Sequence, residues 1–355
     1  MRRAALLIAI LLLALSPVRA SAAPEDHIAD LEEILPEDLP FDATDPEGLT
    51  AAVGFEAILA ELGALLSDRG AELVSFLLTL VGIATISALG RALESDLRPT
   101  VNAAISAVAS VFVVSRILPV VRAVGEAIRE VSDFFGSLIP IFSGITLAGG
   151  GVSTASVSAT GMSISLSVIG SLSAQVLTVS VTALFVLGML SDLGGLGDGL
   201  VRGARSLFTR GIGIVCFLFG AVLALQTVIS GASDGMMIRT ARFAATTTIP
   251  VVGSTVSSAI GTLAAGLSYV KGIAGAASIA TIVWIALSPL MLLLLYRFAL
   301  AFVVSFLGFL DTGRGIRCFS AMLTALDALI AIFSMTTIVY IFQIILFIKS
   351  GVAIL

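Results

Sequence analysis

The chain has 355 residues, of which 58% are hydrophobic and 12% charged, with a formal net charge of −5 and a mean hydropathy of +1.12. Soluble domains carry about 25% charged residues, so a solvated surface all round is excluded and a polytopic membrane protein is expected. The negative charge comes largely from one segment near the N-terminus and gives no ground for a nucleic-acid partner. His27 is the only histidine, and the two cysteines, Cys216 and Cys318, stand in or beside apolar runs with no CxxC pattern. His-based catalysis and a Cys/His metal site are therefore not expected.

Residues 1–23, MRRAALLIAILLLALSPVRASAA, read as a secretory signal peptide. Arg2 and Arg3 supply the positive start, Ala4–Leu15 the short apolar core, and Pro17 the break. Val18-Arg19-Ala20 and Ser21-Ala22-Ala23 both offer cleavage signals, and an uncleaved signal anchor is the alternative. Residues 24–72 form an acidic leader, punctuated by Pro24, Pro36, Pro40 and Pro46, that is delivered to the outer face of the membrane. Within it, Val53, Ile58, Leu62, Leu65 and Leu66 recur at helical spacing around Glu56 and Glu61, which predicts an amphipathic helix over Leu49–Leu66. That helix either lies at the outer interface or on a partner, or packs on its own membrane domain.

A membrane domain follows over 73–349, with a short tail at 350–355. Against a threshold of roughly 18 apolar residues for a span, Leu73–Leu89 and Val101–Leu118 each make one, the second closed by Arg116, Pro119 and Arg122. Arg122, Glu126, Arg129, Glu130 and Asp133 then alternate at helical spacing and predict a solvated or interfacial helix with i,i+4 charge pairs. Over 134–175, Pro140, the triple glycine 149–151 and a Ser-rich run argue against one straight helix, since each glycine costs about 1 kcal/mol against alanine. A helix–break–helix hairpin or re-entrant pair fits better, and such backbone at membrane depth must be buried in protein or line water. The glycines do not make a phosphate loop, because no Gly-Lys-Ser/Thr follows them.

Val176–Leu190 and Ile212–Ile229 read as further spans, separated by a loop with Arg202, Arg205 and Arg210 that belongs in the cytoplasm by its positive charge. Ile273–Leu295 spans again, Tyr296 and Arg297 look like interface anchors, and Phe298–Leu310 is a shorter apolar piece. Phe319–Ile348 forms the last apolar block. The fold expected is all-α: a polytopic helical membrane protein of about six to eight spans, with one or two broken or re-entrant segments. The side of the C-terminus depends on whether 244–270 crosses.

No catalytic constellation is present: there is no HExxH, GxSxG or Walker motif, and no intramembrane carboxylate pair. Asp327 is the one acid well inside an apolar run, where insertion scales put the cost at about 2.5–3.5 kcal/mol. It should face protein or water, either as a structural hydrogen-bonding group or as a proton-coupling site. The stretch 231–272 is the other candidate. It opens with Asp234, Arg239 and Arg242, breaks at Pro250, and then repeats small residues every fourth position: Gly253, Ser257, Gly261 and Ala265, with Ser258, Thr262 and Gly266 alongside. Small residues at that spacing let membrane helices approach closely, within one chain or between subunits.

The block Asp234-Gly235, Arg239-Thr240-Ala241-Arg242-Phe243 and Pro250-Val251-Val252-Gly253, followed by Lys271-Gly272, resembles the signature of the stage III sporulation protein AE family. So do the Leu138-Ile139-Pro140 to Ala155 region and the plan of signal peptide, acidic leader and many spans. The resemblance implies a non-enzymatic membrane subunit, without cofactors, of a channel-like secretion apparatus (a feeding tube) that joins mother cell and forespore and sustains forespore development. It would sit in the mother-cell-derived membrane around the forespore. Its implied partners are the other stage III sporulation A proteins, among them a cytoplasmic ATPase and ring-forming components, and a forespore-side ring protein; a homo-oligomer is also open. The rival expectation is a stand-alone secondary transporter using Asp327, Asp234 and the broken segments as its site.

Overall fold

The computed structural model describes residues 54–89, 98–148, 154–170, 253–309 and 315–349, with residues 31, 33–36, 39, 48, 151, 203, 206 and 210 besides. Most of the described residues fall in five long or medium helices, and no strand occurs among them. These are α1 (Phe55–Leu89), α2 (Arg98–Ala148), α3 (Thr154–Gly170), α4 (Gly253–Phe309) and α5 (Gly315–Lys349). Four of them, α1, α2, α4 and α5, are long and apolar enough to cross a membrane. The count of six to eight rested in part on Val176–Leu190 and Ile212–Ile229, which lie outside the described residues.

The helices are longer than the apolar blocks suggested. From Phe55 onward the amphipathic stretch and the first span are one uninterrupted helix, α1. The second span does not close at Pro119: α2 runs through Pro119 and Pro140 alike, and α4 runs through Pro289. Proline removes one backbone donor and bends a helix, and where neighbouring helices and hydroxyls re-satisfy the freed groups the helix continues. At about 1.5 Å per residue, 51 residues in α2 make a rod of some 76 Å and 57 in α4 one of some 85 Å. A hydrocarbon core is about 30 Å thick, so both project well beyond it.

Side-chain contacts fix the directions. Phe76 stacks on Phe112 with centroids 5.8 Å apart, and Arg116 Nη1 reaches Glu72 Oε1 at 3.4 Å, so α1 runs antiparallel to α2. Ser132 meets Tyr340, and Phe142 stacks face to face on Phe347 at 3.8 Å, so α2 and α5 run in the same direction. Helices α4 and α5 form an antiparallel hairpin and share the most extensive contact in the fold. The chain does break at the triple glycine: α2 ends at Ala148, Gly151 donates to Thr146 O at 3.1 Å, and Ala155 donates to Gly151 O at 2.8 Å. Helix α3 then folds back, and a Cβ on Gly136 would stand 3.3 Å from Leu166 Cδ2. The helix–break–helix reading of this region describes the backbone found.

Two apolar clusters lie along the bundle. One joins Phe76, Val113, Leu300 and Leu326 near the α4–α5 connection. The other joins Phe135, Phe142, Met162, Ala277 and Tyr340 towards the α2–α3 break, and the leader's Leu31 is buried in it. Part of the acidic leader is thus packed on the bundle. On α2, Val121, Val124, Ala127, Ile128 and Val131 face inward while Arg122, Glu126, Arg129, Glu130 and Asp133 are exposed, the solvated face that the spacing predicts. The expected i,i+4 pairs are not closed, however. Among the described residues the ion pairs are Arg69–Asp68, Arg116–Glu72 and Arg297–Asp327. Exposed side chains in water gain little from such pairing against the entropy of holding them.

Candidate functional site: polar groups between the helices

Between lipid-like surfaces, helices associate through close packing and hydrogen bonds rather than the hydrophobic effect. Most interior hydroxyls here bond back to their own helix: Thr146 to Phe142 O, Ser278 to Ala274 O, Thr281 to Ala277 O and Thr336 to Ile332 O, at 2.7–3.0 Å. That satisfies each donor locally and lets small polar residues occupy a seam at no cost in unmet hydrogen bonds.

A smaller set of polar groups ties one helix to another. Gln343 on α5 donates from Nε2 to Ser165 Oγ on α3 at 2.6 Å, with both residues buried, and Ser165 passes its own proton to Gly161 O. Ser132 on α2 and the wholly buried Tyr340 on α5 share a hydrogen bond of 3.0 Å. Lys271 on α4 is buried, with its ammonium 4.8 Å from the centre of the Phe347 ring, within range of a cation–π attraction. The aliphatic stem of such a lysine packs while the charge finds a ring face.

A further tie is Arg297–Asp327, where the Arg297 Nε–H donates to Asp327 Oδ1. Asp327 therefore takes the protein partner that its place in an apolar run demands. Arg297 does not stand at a helix end: α4 continues for twelve residues beyond it, and the adjoining Tyr296 is buried against Phe76. Arg297 lies twelve residues before Phe309, where α4 ends, and Asp327 twelve after Gly315, where α5 begins. At about 1.5 Å per residue both charges stand some 18 Å from the α4–α5 connection. The pair is not sealed in the interior, since 35% of the Arg297 side chain and 44% of the Asp327 side chain stay exposed on the outer edge of the hairpin.

Of the stretch singled out in the sequence, Asp234, Arg239, Arg242 and Pro250 lie outside the described residues. Gly253, Ser257, Gly261 and Ala265 form the first turns of α4, which begins three residues beyond Pro250. The two small-residue rows part company further along. Four residues past Ala265, Tyr269 is exposed, whereas the row of Ser258, Thr262 and Gly266 continues at the same spacing into buried Val270, Ala274 and Ser278. Among the described glycines of α4, Gly275 is the one at which an added Cβ would run into a neighbour, Ile348 of α5. Asp327 is far along the bundle from these turns, so the described part of that stretch is not brought together with it. The sequence reading missed Gly275, Lys271 as a buried group, and Arg297 as the partner of Asp327. Among the described residues no group of three or more His, Cys, Asp and Glu converges as a metal site would require.

The family model for stage III sporulation protein AE matches residues 49–351. No curated protein and no solved structure matches. The match takes in the whole helical bundle and most of the chain, so this protein belongs to the stage III sporulation protein AE family, with a role at stage III of sporulation.

Proposed function

We propose that the protein is a non-enzymatic membrane subunit of a channel-like secretion apparatus linking mother cell and forespore, needed for forespore development. The observation that carries this reading is the family match over 49–351, which coincides with a bundle of four helices apolar enough to span. Two features of the bundle support a part in an assembly. The helices outreach a bilayer, leaving protein to be met outside it, and large apolar side chains such as Leu59, Leu66 and Tyr269 are exposed. In this reading the bundle sits in the mother-cell-derived membrane around the forespore. The leader and the N-terminal half of α1 face the space between the two membranes and meet ring-forming stage III sporulation A proteins and a forespore-side ring protein. The cytoplasmic ATPase of the same set meets the opposite face.

Deletion of the gene in a spore former tests this. Engulfed forespores that form but then lose late gene expression support the proposal. Normal sporulation with loss of uptake of a single solute would overturn it in favour of a stand-alone transporter.

A further inference from the structure

The α1–α2 and α4–α5 connections lie at one end of the bundle, because α1 and α4 run antiparallel to α2 and α5, which share a direction. Phe76 of α1 touches both Phe112 of α2 and Tyr296 of α4, with ring centroids 5.8 and 4.9 Å away, and so sets three helices level. Glu72 and Arg116 pair one turn from those rings, Arg297 adjoins Tyr296, and Asp327 holds Arg297. Four helices thus bring a half-exposed charge to one level.

The exposed faces of the helices change character at that level. Towards the connections, α1 exposes Val74, Leu78 and Ile86, α2 exposes Val108, and α4 exposes Phe298 and Phe302. No charged residue occurs on 73–89, 100–115 or 298–309. Hydroxyls on this face are satisfied within their own helices: Thr79, Thr85 and Ser305 donate to the Ser75, Val81 and Ala301 carbonyls at 2.8–2.9 Å. Polar groups facing hydrocarbon must be met inside the protein, having no water to turn to. The charged residues between the level and the connections, within the described helices, are Arg98 and Arg317. They stand in the first turns of α2 and α5, where long side chains extend to the interface. Residues 73–89 of α1 and 98–115 of α2 measure some 25–27 Å at about 1.5 Å per residue, close to one hydrocarbon core of about 30 Å.

Beyond the level the pattern reverses. Helix α2 exposes Arg122, Glu126, Arg129, Glu130 and Asp133, and α1 exposes Glu56, Asp68 and Arg69. At membrane depth ionised side chains must face protein or water, and these face outward from the bundle. Apolar α4 needs no lipid in this half, since between Lys271 and Tyr296 it exposes Ala276 alone. Apolar side chains such as Ile338 and Phe342 of α5 are exposed here too, but singly exposed apolar residues are ordinary on surfaces in water.

We propose that lipid encircles only the half of the bundle nearest the two connections, with the level of Glu72–Arg116 and Arg297–Asp327 at one surface of the bilayer. The charged half of α2, with the helices packed on it, stands in water beyond that surface. The inference rests on where charge is exposed and holds whatever apparatus the protein serves. It can fail while the family role stands, and the reverse.

The test uses the full chain in membranes opened by freezing and thawing, with Cys216→Ser and Cys318→Ser as background and a charged maleimide as the probe. Glu126→Cys and Asp133→Cys should label readily. Leu78→Cys, Val108→Cys and Phe302→Cys, exposed on α1, α2 and α4, should label about tenfold less or worse, because a charged reagent is excluded from hydrocarbon, and should recover in dodecyl sulfate. Nitroxides on the same cysteines separate lipid from a protein cover. At 78, 108 and 302 dissolved oxygen should relax the label more than a water-soluble nickel chelate does, and at 126 and 133 the order should invert. Protection of 126 and 133 equal to that of 108 would overturn the proposal, as would labelling of 78 and 108 as fast as 126. Nitroxides at 78 and 108 shielded from oxygen and nickel alike would show protein on that face and contradict it too. Where one variant fails to insert, the positions on the other helices at the same level decide the matter.

Discussion

Arg297 on α4 donates to Asp327 on α5 from the same height above the connection between their helices. Two apolar helices whose ridges could slide past one another are thereby held in one register. Removing one charge leaves the other stranded, which costs roughly 3–5 kcal/mol for a fully buried pair. The exposure of this pair puts the loss below that range. Asp327→Ala should therefore lower the amount of folded protein and its resistance to heat in detergent. The double replacement Arg297→Met with Asp327→Leu should recover much of that loss, and heat-induced aggregation followed for the three variants gives the comparison.

The Tyr340–Ser132 contact separates hydrogen bonding from packing. Tyr340→Phe removes a hydroxyl whose partner Ser132 still donates to Ile128 O at 2.6 Å, so the expected cost is about 0.6 kcal/mol, an interhelical bond in a membrane protein. Tyr340→Ala also empties the ring's place beside Phe135, where the centroids are 4.5 Å apart, and should cost about 3–5 kcal/mol. Unfolding in increasing denaturant should shift little for the first and strongly for the second.

Glycines on α4 should differ sharply in tolerance. Gly275 meets Ile348 of α5, whereas an added Cβ at Gly266 has nothing within 4 Å. Gly275→Leu should separate the helices and depress membrane-integrated protein. Gly266→Ala should be neutral or stabilise by up to about 1 kcal/mol through helix propensity. Limited proteolysis of the two variants distinguishes the outcomes.

The small-residue turns at the start of α4 carry a separate expectation. If they pack against another subunit, Gly261→Leu should abolish co-purification of partner proteins while the variant still inserts at normal level. Unchanged co-purification would confine their role to the chain itself.

Much of the fold was legible in the residues, and the misses share a cause. Composition and apolar run lengths gave the helical membrane class, the triple glycine gave the break after Ala148, and the charge spacing gave the exposed face of α2. These are local signals. A helix end was misplaced at Pro119 because whether proline stops a helix depends on the neighbours that take up its freed backbone groups. Arg297 was not read as the partner of Asp327 because the two lie thirty residues apart, across a hairpin whose register the sequence does not state. Gly275 was overlooked because a lone glycine in an apolar helix signals nothing until the helix facing it, here α5 at Ile348, is known.

Affinity purification of the full chain from sporulating cells, in mild detergent after engulfment, addresses the proposed role most directly. The account predicts that the other stage III sporulation A proteins, including the ATPase and ring-forming components, are recovered with it. Purification of the protein free of all of them, under conditions in which those proteins still recover one another, would contradict it.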